Sequence, residues 1–320
     1  MRVSVITPVY NAAEFVTRAV ESALAQPEVA EVLLIEDGSP DGSLAICQAL
    51  AEQHDRVKLL RHPGGANRGA GASRNLGMRN ASCEYIAFLD ADDYYLPGRF
   101  RQARQVFDSE PECDGVYEAI GRHVEDRAGQ RRWEQAGKND DNLQTLTKVV
   151  NPKSLADELL AGQIGSFSID GLVLKAKILE KSGWMDESLR LHQDTEFILR
   201  LAIVGILLPG ILNEPVAMWR VHSQNRISSP RTVRRKLDDK LEMWGIFYRW
   251  MRKNGYAQYR GQIMKKMLIN IISEKRFGKF KITLLRKVFR FWYLLSGLVK
   301  QPEYLIDKVF YKELSQLLFH

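Results

Sequence analysis

Three carboxylates fall within four residues in Asp90-Ala91-Asp92-Asp93, directly after the apolar run Ile86 to Leu89. Held together at the end of a strand, they repel one another unless solvent, basic groups or a cation offset the charge. Hard divalent cations such as Mg²⁺ and Mn²⁺ favour such oxygen ligands, usually one or two carboxylates together with the phosphates of a substrate. A nucleoside diphosphate fits a site of that kind. An acidic surface turn is the plain alternative for these residues taken alone.

Three other strand ends carry polar residues of the same character. They are Thr7-Pro8-Val9-Tyr10-Asn11, Glu36-Asp37-Gly38-Ser39, and the stretch Asn67-Arg68-Gly69-Ala70-Gly71-Ala72-Ser73-Arg74-Asn75. In open α/β sheets, ligands bind where loops leave the carboxyl ends of the strands. Each stretch also has a bland reading: Asn11 as a helix cap, Asp37 as a turn residue, and the glycines near 70 as relief where a helix crowds a sheet.

The elements that must hold these residues read as strands alternating with crossover helices, which predicts a mostly parallel sheet. Val3 to Ile6 is the first strand, followed by a helix that Asn11 caps with Glu14 closing a capping box. Glu31 to Glu36, Val57 to Leu60 and Tyr85 to Leu89 are the next strands, with Asp41 capping the helix between the second and third. Pro97 suits the first turn of a further helix, and Val116 to Trp133 reads as strands around a turn at Ala128-Gly129. Asp140 to Pro152 reads as a mobile polar loop. A helix from Ser154, a strand near Leu172 to Leu174, a helix closed by Gly183 and a helix from Asp194 to Val204 closed by Gly205 complete the part before Arg226 to Pro230, which reads as a boundary. Beyond it, Val233, Leu237, Leu241, Trp244, Tyr248 and Met251 recur at helical spacing, and at least two more helices are expected.

In order and spacing, Val-Ile-Thr-Pro-Val-Tyr-Asn, Glu-Asp-Gly-Ser-Pro-Asp-Gly-Ser, Asn-Arg-Gly-Ala-Gly-Ala-Ser-Arg-Asn and Phe-Leu-Asp-Ala-Asp-Asp resemble the family 2 glycosyltransferases with the GT-A fold. The resemblance continues through Gly183-Trp184-Met185-Asp186-Glu187, His192-Gln193-Asp194-Thr195-Glu196-Phe197 and Trp219-Arg220-Val221-His222, and covers about residues 2 to 230. It implies an α/β fold of Rossmann-like type with a C-terminal helical extension: a catalytic domain over 1–228, divided into a nucleotide-sugar half to about 120 and an acceptor half from 121, then a basic amphipathic region over 229–320.

The resemblance also implies roles. Thr7, Pro8, Tyr10 and Glu14 would line the nucleotide pocket, Asp37 would bond the base, and Arg74 with the Arg68-Gly69 turn would lie near base or phosphates. Asp90, beside Ala91, would face the donor ribose or sugar, Asp92 would ligate Mn²⁺ or Mg²⁺ through the diphosphate, and His222 would complete the metal or diphosphate shell. Asp194 would be the catalytic base of an inverting transfer from a nucleotide diphosphate donor, by default a UDP-sugar, to a hydroxyl of a glycan or lipid-linked acceptor. Relatives usually carry Glu immediately before that Asp, where this chain has Gln193. Trp184 reads mainly as packing, bordering the acceptor cleft at most. The setting implied is synthesis of a bacterial envelope polysaccharide or lipopolysaccharide.

Composition sets the surroundings. Hydrophobic residues make up 45% and charged residues 27% of the 320 residues, close to globular averages. The net charge of +7 is uneven: residues 231–320 hold 21 Lys or Arg against 7 Asp or Glu, which leaves 25 against 32 before them. A basic tail rich in Trp, Phe, Tyr and Leu points to an anionic surface, and Lys279, Lys281, Arg286, Lys287 and Arg290 with Phe289, Trp292 and Leu295 predict docking on a membrane. Three scattered cysteines, Cys47, Cys83 and Cys113, argue against a disulfide framework or zinc knuckle. The start lacks the features of a signal peptide, so a cytoplasmic protein, peripheral at the inner face of the membrane and not secreted, is expected.

Two other functions compete. A nucleotide-linked dehydrogenase shares the opening βα units, but Gly69-Ala70-Gly71-Ala72-Ser73-Arg74 lacks a third glycine and does not open the first helix. A nucleic-acid-binding protein is suggested by Trp244, Trp250 and Trp292 among basic residues, yet their recurrence at helical spacing favours packing, and no nucleic acid is expected as a partner.

Overall fold

A computed structural model describes residues 1–135, 143–223, 225 and 233–272. The chain divides into two units, Met1–Ser229 and Pro230–His320. In the first, seven strands form the central sheet: β1 (Val3–Val9), β2 (Val29–Glu36), β3 (Val57–Arg61), β4 (Tyr85–Phe88), β6 (Gly115–Tyr117), β9 (Leu172–Lys175) and β10 (Leu207–Pro209), in the order β10-β6-β9-β4-β1-β2-β3. Strands β4, β1, β2 and β3 run parallel, as do β6 and β10, while β9 runs against both its neighbours. The alternation of strand and helix legible in the sequence thus produces the mostly parallel sheet expected.

Strand β1 is buried on both faces, as a central parallel strand must be, so that Ser4 and Thr7 are covered along with Val3, Val5, Ile6 and Val9. Helices α1 (Val16–Leu24), α2 (Ser43–Gln53), α3 (Ala70–Asn80) and α4 (Arg101–Ser109) make the crossovers. α1 buries Val16, Ala19, Val20 and Ala23, one stripe at spacings of three and four. A second sheet, in the order β5-β11-β7-β8, joins β5 (Tyr94–Tyr95), β7 (Ile120–Val124), β8 (Leu143–Gln144) and β11 (Ala217–Val221). Helices α5 (Arg127–Gln135), α6 (Leu155–Ala161), α7 (Leu179–Ser182) and α8 (Gln193–Val204) complete the unit.

Several local expectations need correction. The capping box at Asn11 and Glu14 does not form: α1 starts after Phe15 without a side-chain cap, Glu14 is exposed, and Asn11 takes a positive φ of 53°. Asparagine tolerates that conformation better than most residues. The N–H groups of this turn are taken by the next strand end, that of Asn11 donating to Ser39 Oγ (3.2 Å), Ala12 to Ser43 Oγ (2.9 Å) and Ala13 to Asp41 Oδ2 (3.0 Å). A tertiary acceptor has displaced the local one. Pro97 precedes α4 by four residues instead of lying in its first turn.

Ala128-Gly129 is not a turn between strands. It lies inside α5, because the Asp126 carboxylate accepts from the N–H of Gly129 and starts a helix there. The expected mobile loop at Asp140 to Pro152 is in its described part a short strand, β8, followed by the buried Leu146 and Val150. Its first residues, Asp140 to Asn142, lie outside the described residues.

In the second unit, α9 (Val233–Lys253) carries the amphipathic pattern: Leu237, Trp244, Tyr248 and Met251 are buried. α10 (Arg260–Ile272) packs against it. The boundary at Arg226 to Pro230 and the tail residues Lys279 to Leu295 lie outside the described residues. No helix among the described residues is long and apolar enough to cross a membrane.

Candidate functional site

The carboxyl ends of β2, β1 and β4 lie side by side, because Val9 is in register with Glu36 and Ile6 with Phe88. This brings together Asp37, the Thr7–Tyr10 segment and the Asp90–Asp93 turn. Thr7 is buried with its Oγ1 unpartnered among the described residues, Pro8 is partly buried, and Tyr10 is 45% exposed. Glu14 is exposed, two residues ahead of α1.

Asp37 is buried, and its carboxylate organises the neighbouring loop. Oδ1 accepts from the backbone N–H of Arg68 at 2.7 Å and Oδ2 from that of Gly69 at 2.8 Å, while its carbonyl accepts from Asn67. Gly38, between Asp37 and this loop, is irreplaceable on two counts: its φ is +69°, and a Cβ there would sit 2.6 Å from the Gly65 carbonyl oxygen. Whatever Asp37 does for a ligand, it first fixes the loop that carries Arg68 and Gly69.

Arg74 lies one turn into α3, 3% exposed, and its Nη2 donates to Asp90 Oδ1. Its Nε and Nη1 are buried with no partner among the described residues. Burial works to lower its pKa, but the charges of Asp90, Asp194 and Asp170 outweigh that and hold it above the ordinary range. Three acids from three separate elements therefore act on the charge of one guanidinium, and Asp90 bonds it directly. Asp194 is partly buried in the first turn of α8, one oxygen accepting from the N–H of Thr195 at 2.8 Å.

Asp90 has its pKa raised, by burial first, against the pull of Arg74 and with the charges of Asp92 and Asp194 adding to it. Its side chain remains 38% exposed and that of Asp92 32%, so both can reach a ligand. Ala91 between them is buried. The carboxylate oxygens of Asp90, Asp92 and Asp93 approach within 4.8 Å of one another. That donor set of hard oxygens, with surplus negative charge, suits a divalent cation. His222, one of the three expected metal residues, is 4% exposed and places Nε2 3.1 Å from Asp92 Oδ2, with its ring against that of Phe15.

Asp93 turns inward. Its Oδ1 accepts from the N–H of Arg220 at 2.9 Å, and it shares a hydrogen bond with Asp170, whose own Oδ1 accepts from the N–H of Asp90 at 3.1 Å. Burial, then the charge of Asp90, pushes the Asp170 carboxyl up to about 7, and burial with the charge of Asp92 also raises Asp93. Asp170 escaped sequence reading because nothing near Ile169-Asp170-Gly171 marks it; only the antiparallel pairing of β9 with β4 delivers it under the acidic turn. Asn225 has no local mark either, and Asn75, although inside the polar stretch 67–75, takes its role from a distant backbone partner that the sequence does not show.

Asn75 determines how Asp194 reaches the site. Its side chain donates to the carbonyl of Met185 (2.9 Å) and accepts the Met185 N–H (3.0 Å), fastening the chain between α7 and α8 along α3. A Cβ on Gly71 would meet Gln193 at 3.4 Å and the Asp186 carbonyl oxygen at 3.5 Å, and Arg190 donates to Asn67 Oδ1 at 3.4 Å. Gln193 is buried, with Oε1 unpartnered among the described residues. Trp184 lies over Arg79, near the last turn of α3, so it borders the far end of that helix and not the cluster around Arg74.

Comparison with known proteins agrees with this arrangement. Residues 4–159 match the model described as Glycosyl transferase family 2, and over 231 residues the chain is 31% identical to an uncharacterized glycosyltransferase of Nostoc sp. (strain PCC 7120), a match covering 70% of this chain and 66% of that protein. The chain belongs to glycosyl transferase family 2. This family 2 chain is also 42% identical over 100 residues to the succinoglycan biosynthesis protein ExoU of Rhizobium meliloti, covering 31% of this chain and 29% of ExoU. It thus spans less than a third of one of these relatives and about two thirds of the other. Among solved structures, S. aureus TarS 1–349 in complex with UDP-GlcNAc superposes with a TM-score of 0.64 at 17% identity, over 90% of this chain and 78% of that one. The family 2 chain therefore has the GT-A fold expected from its motifs.

Proposed function

We propose that this chain is an inverting glycosyltransferase that moves a sugar from a nucleoside diphosphate, UDP first among them, to a hydroxyl of a glycan or lipid-linked acceptor. The observation that carries the reading is that two acidic centres act on one buried guanidinium: Asp90 bonds Arg74, and the charge of Asp194 also raises its pKa. A transfer with inversion needs two such centres, one beside the departing diphosphate and one free to take the acceptor proton.

Asp194 accepts the proton of the acceptor hydroxyl as that oxygen forms a bond to the anomeric carbon. The bond from that carbon to the diphosphate oxygen breaks on the opposite face, and its electron pair leaves with the diphosphate. A divalent cation, Mn²⁺ or Mg²⁺, bound by Asp90 and Asp92, would supply positive charge beside the leaving group. Arg74 holds Asp90 in place, and Thr7, Pro8, Tyr10, Glu14, Asp37, Arg68 and Gly69 receive the nucleotide at the adjoining strand ends. TarS has been crystallised with UDP-GlcNAc, which supports a uridine nucleotide, and ExoU is named for succinoglycan biosynthesis, which supports a cell-surface polysaccharide pathway. The basic tail would bring the chain to the anionic inner face of a cell membrane, where lipid-linked acceptors lie.

A screen of nucleotide sugars with Mn²⁺ or Mg²⁺, following nucleoside diphosphate release and the anomeric configuration of the product, tests this. Turnover of one donor, lost in EDTA, with an inverted product is expected. Retained configuration, or turnover indifferent to EDTA, contradicts the mechanism.

A further inference from the structure

Where the chain leaves the central sheet for the second one, between β6 and β7, it buries a charge. Glu118 is 0% and Arg99 1% exposed, and Arg99 Nη1 donates to Glu118 Oε2 at 2.6 Å. A buried ion pair is weak evidence of stability, because both groups forfeit hydration and apolar side chains of similar size are often as stable in their place. What apolar side chains could not do is hold the backbone on both sides of the acidic turn.

On one side, Arg99 Nη2 donates to the carbonyl of Asp170 at 3.0 Å. Asp170 Oδ1 accepts from the N–H of Asp90 at 3.1 Å, so two hydrogen bonds separate the guanidinium from the residue that opens the turn. On the other side, Glu118 Oε1 accepts from the N–H of Ile211 at 3.3 Å, in the link from β10 to β11. Strand β11 completes the path: the Arg220 N–H donates to Asp93 Oδ1, and its Nε to the carbonyl of Asp92. Arg99 is itself anchored, its N–H donating to Oε1 of the buried Gln26 at 3.1 Å. The link is fitted closely to the carboxylate, since a Cβ on Gly210 would fall 2.6 Å from Glu118 Oε1.

We propose that Arg99 and Glu118 are positioning residues for the cation site, the pair setting the Asp90–Asp93 turn in place against β11. A lysine could not do the work of Arg99, because one ammonium group lacks the planar fork that meets Glu118 and the Asp170 carbonyl together. The inference rests on the cation-binding reading of the Asp90–Asp92 turn, but the path of contacts exists without a cation and can be followed without one.

Hydrogen exchange of the Asp90 amide in the metal-free full chain reads that path directly. Arg99→Lys, and Gly210→Ala, which leaves both charges in place and presses on Glu118, should each speed this exchange more than that of the β1 and β2 amides. By calorimetry, each should weaken Mn²⁺ binding in the presence of UDP by about threefold or more. Leu50→Ala, a core truncation in α2, lowers stability without touching the path and should change neither quantity. Asp90 exchange unaltered in the variants, Mn²⁺ affinity equal to that of the wild type, or losses matched by Leu50→Ala overturns the proposal. If the wild-type chain with UDP binds no Mn²⁺ while Asp90 exchange responds to both variants, the cation reading fails and the positioning of the turn stands.

Discussion

Asn75 grips both the N–H and the carbonyl of Met185, 110 residues further along the chain. Through that one side chain, the helix that presents Arg74 to Asp90 also carries the segment leading to Asp194. The two acidic centres are therefore both tied to α3, although Asp90 stands in the turn after β4 and Asp194 in the first turn of α8.

Replacing Asn75 by Ala leaves a buried backbone donor and acceptor without partners, at a cost of about 2–4 kcal/mol. Urea denaturation should show that loss. Because the segment ahead of α8 is released, transfer should slow beyond what the fall in folded fraction explains, with donor binding little changed. A variant as stable and as active as wild type would mean that the grip is incidental.

Asp170 gives the fold a pH dependence of defined sign. Its pKa is higher in the folded protein, about 7, than the ordinary 3.8 of an unfolded aspartate, so the native state holds the proton more tightly. Its favourable contribution is complete below about pH 4 and is lost as pH rises through about 7. Asp170→Asn keeps an acceptor for the Asp90 N–H and does not titrate. In EDTA, stability of the wild type relative to this variant should decline between pH 4 and 7, and parallel curves would contradict the assignment.

Gly129 tests the support beneath His222. An alanine there puts a Cβ into the space of the His222 backbone, and overpacking of this kind costs about 1–3 kcal/mol. Thermal denaturation should detect it, together with weaker Mn²⁺ binding in the presence of UDP. Wild-type values for both would show that the turn yields freely.

The basic tail is tested by deletion. Removing residues 279–320 should reduce partition of the protein onto anionic vesicles, most at low ionic strength, because the attraction between lysine or arginine and lipid phosphate is screened by salt. Partition equal to that of the whole chain would remove the membrane from the account.

The site was legible in the sequence wherever its residues cluster at a strand end. Asp37, Asp90 and Asp92 stand in short polar stretches that close apolar runs, and the topology brings them together because β2 and β4 flank β1 in parallel, while Arg74 of the stretch 67–75 enters from α3. Asp170 and Asn225 have no such local mark, and Asn75, beside Arg74 in a marked stretch, gives no local sign of its role, since each acts on a partner 80 to 133 residues away. The capping box at Asn11 failed for a related reason: Ser39, Asp41 and Ser43 compete for the same N–H groups and win. Gly129 looked like a turn because the Asp126 contact that starts a helix there is one bond among many candidates in a polar stretch.

The central claim is that Asp194 takes the acceptor proton opposite the Asp90–Asp92 site. Asp194→Asn changes the side chain's shape little and removes its basicity. Steady-state transfer from the donor that the screen identifies, alongside calorimetric binding of UDP with Mn²⁺, measures the two centres separately. The account predicts a kcat lower by about 10²–10⁴-fold with nucleotide affinity preserved. A kcat equal to that of the wild type would contradict it.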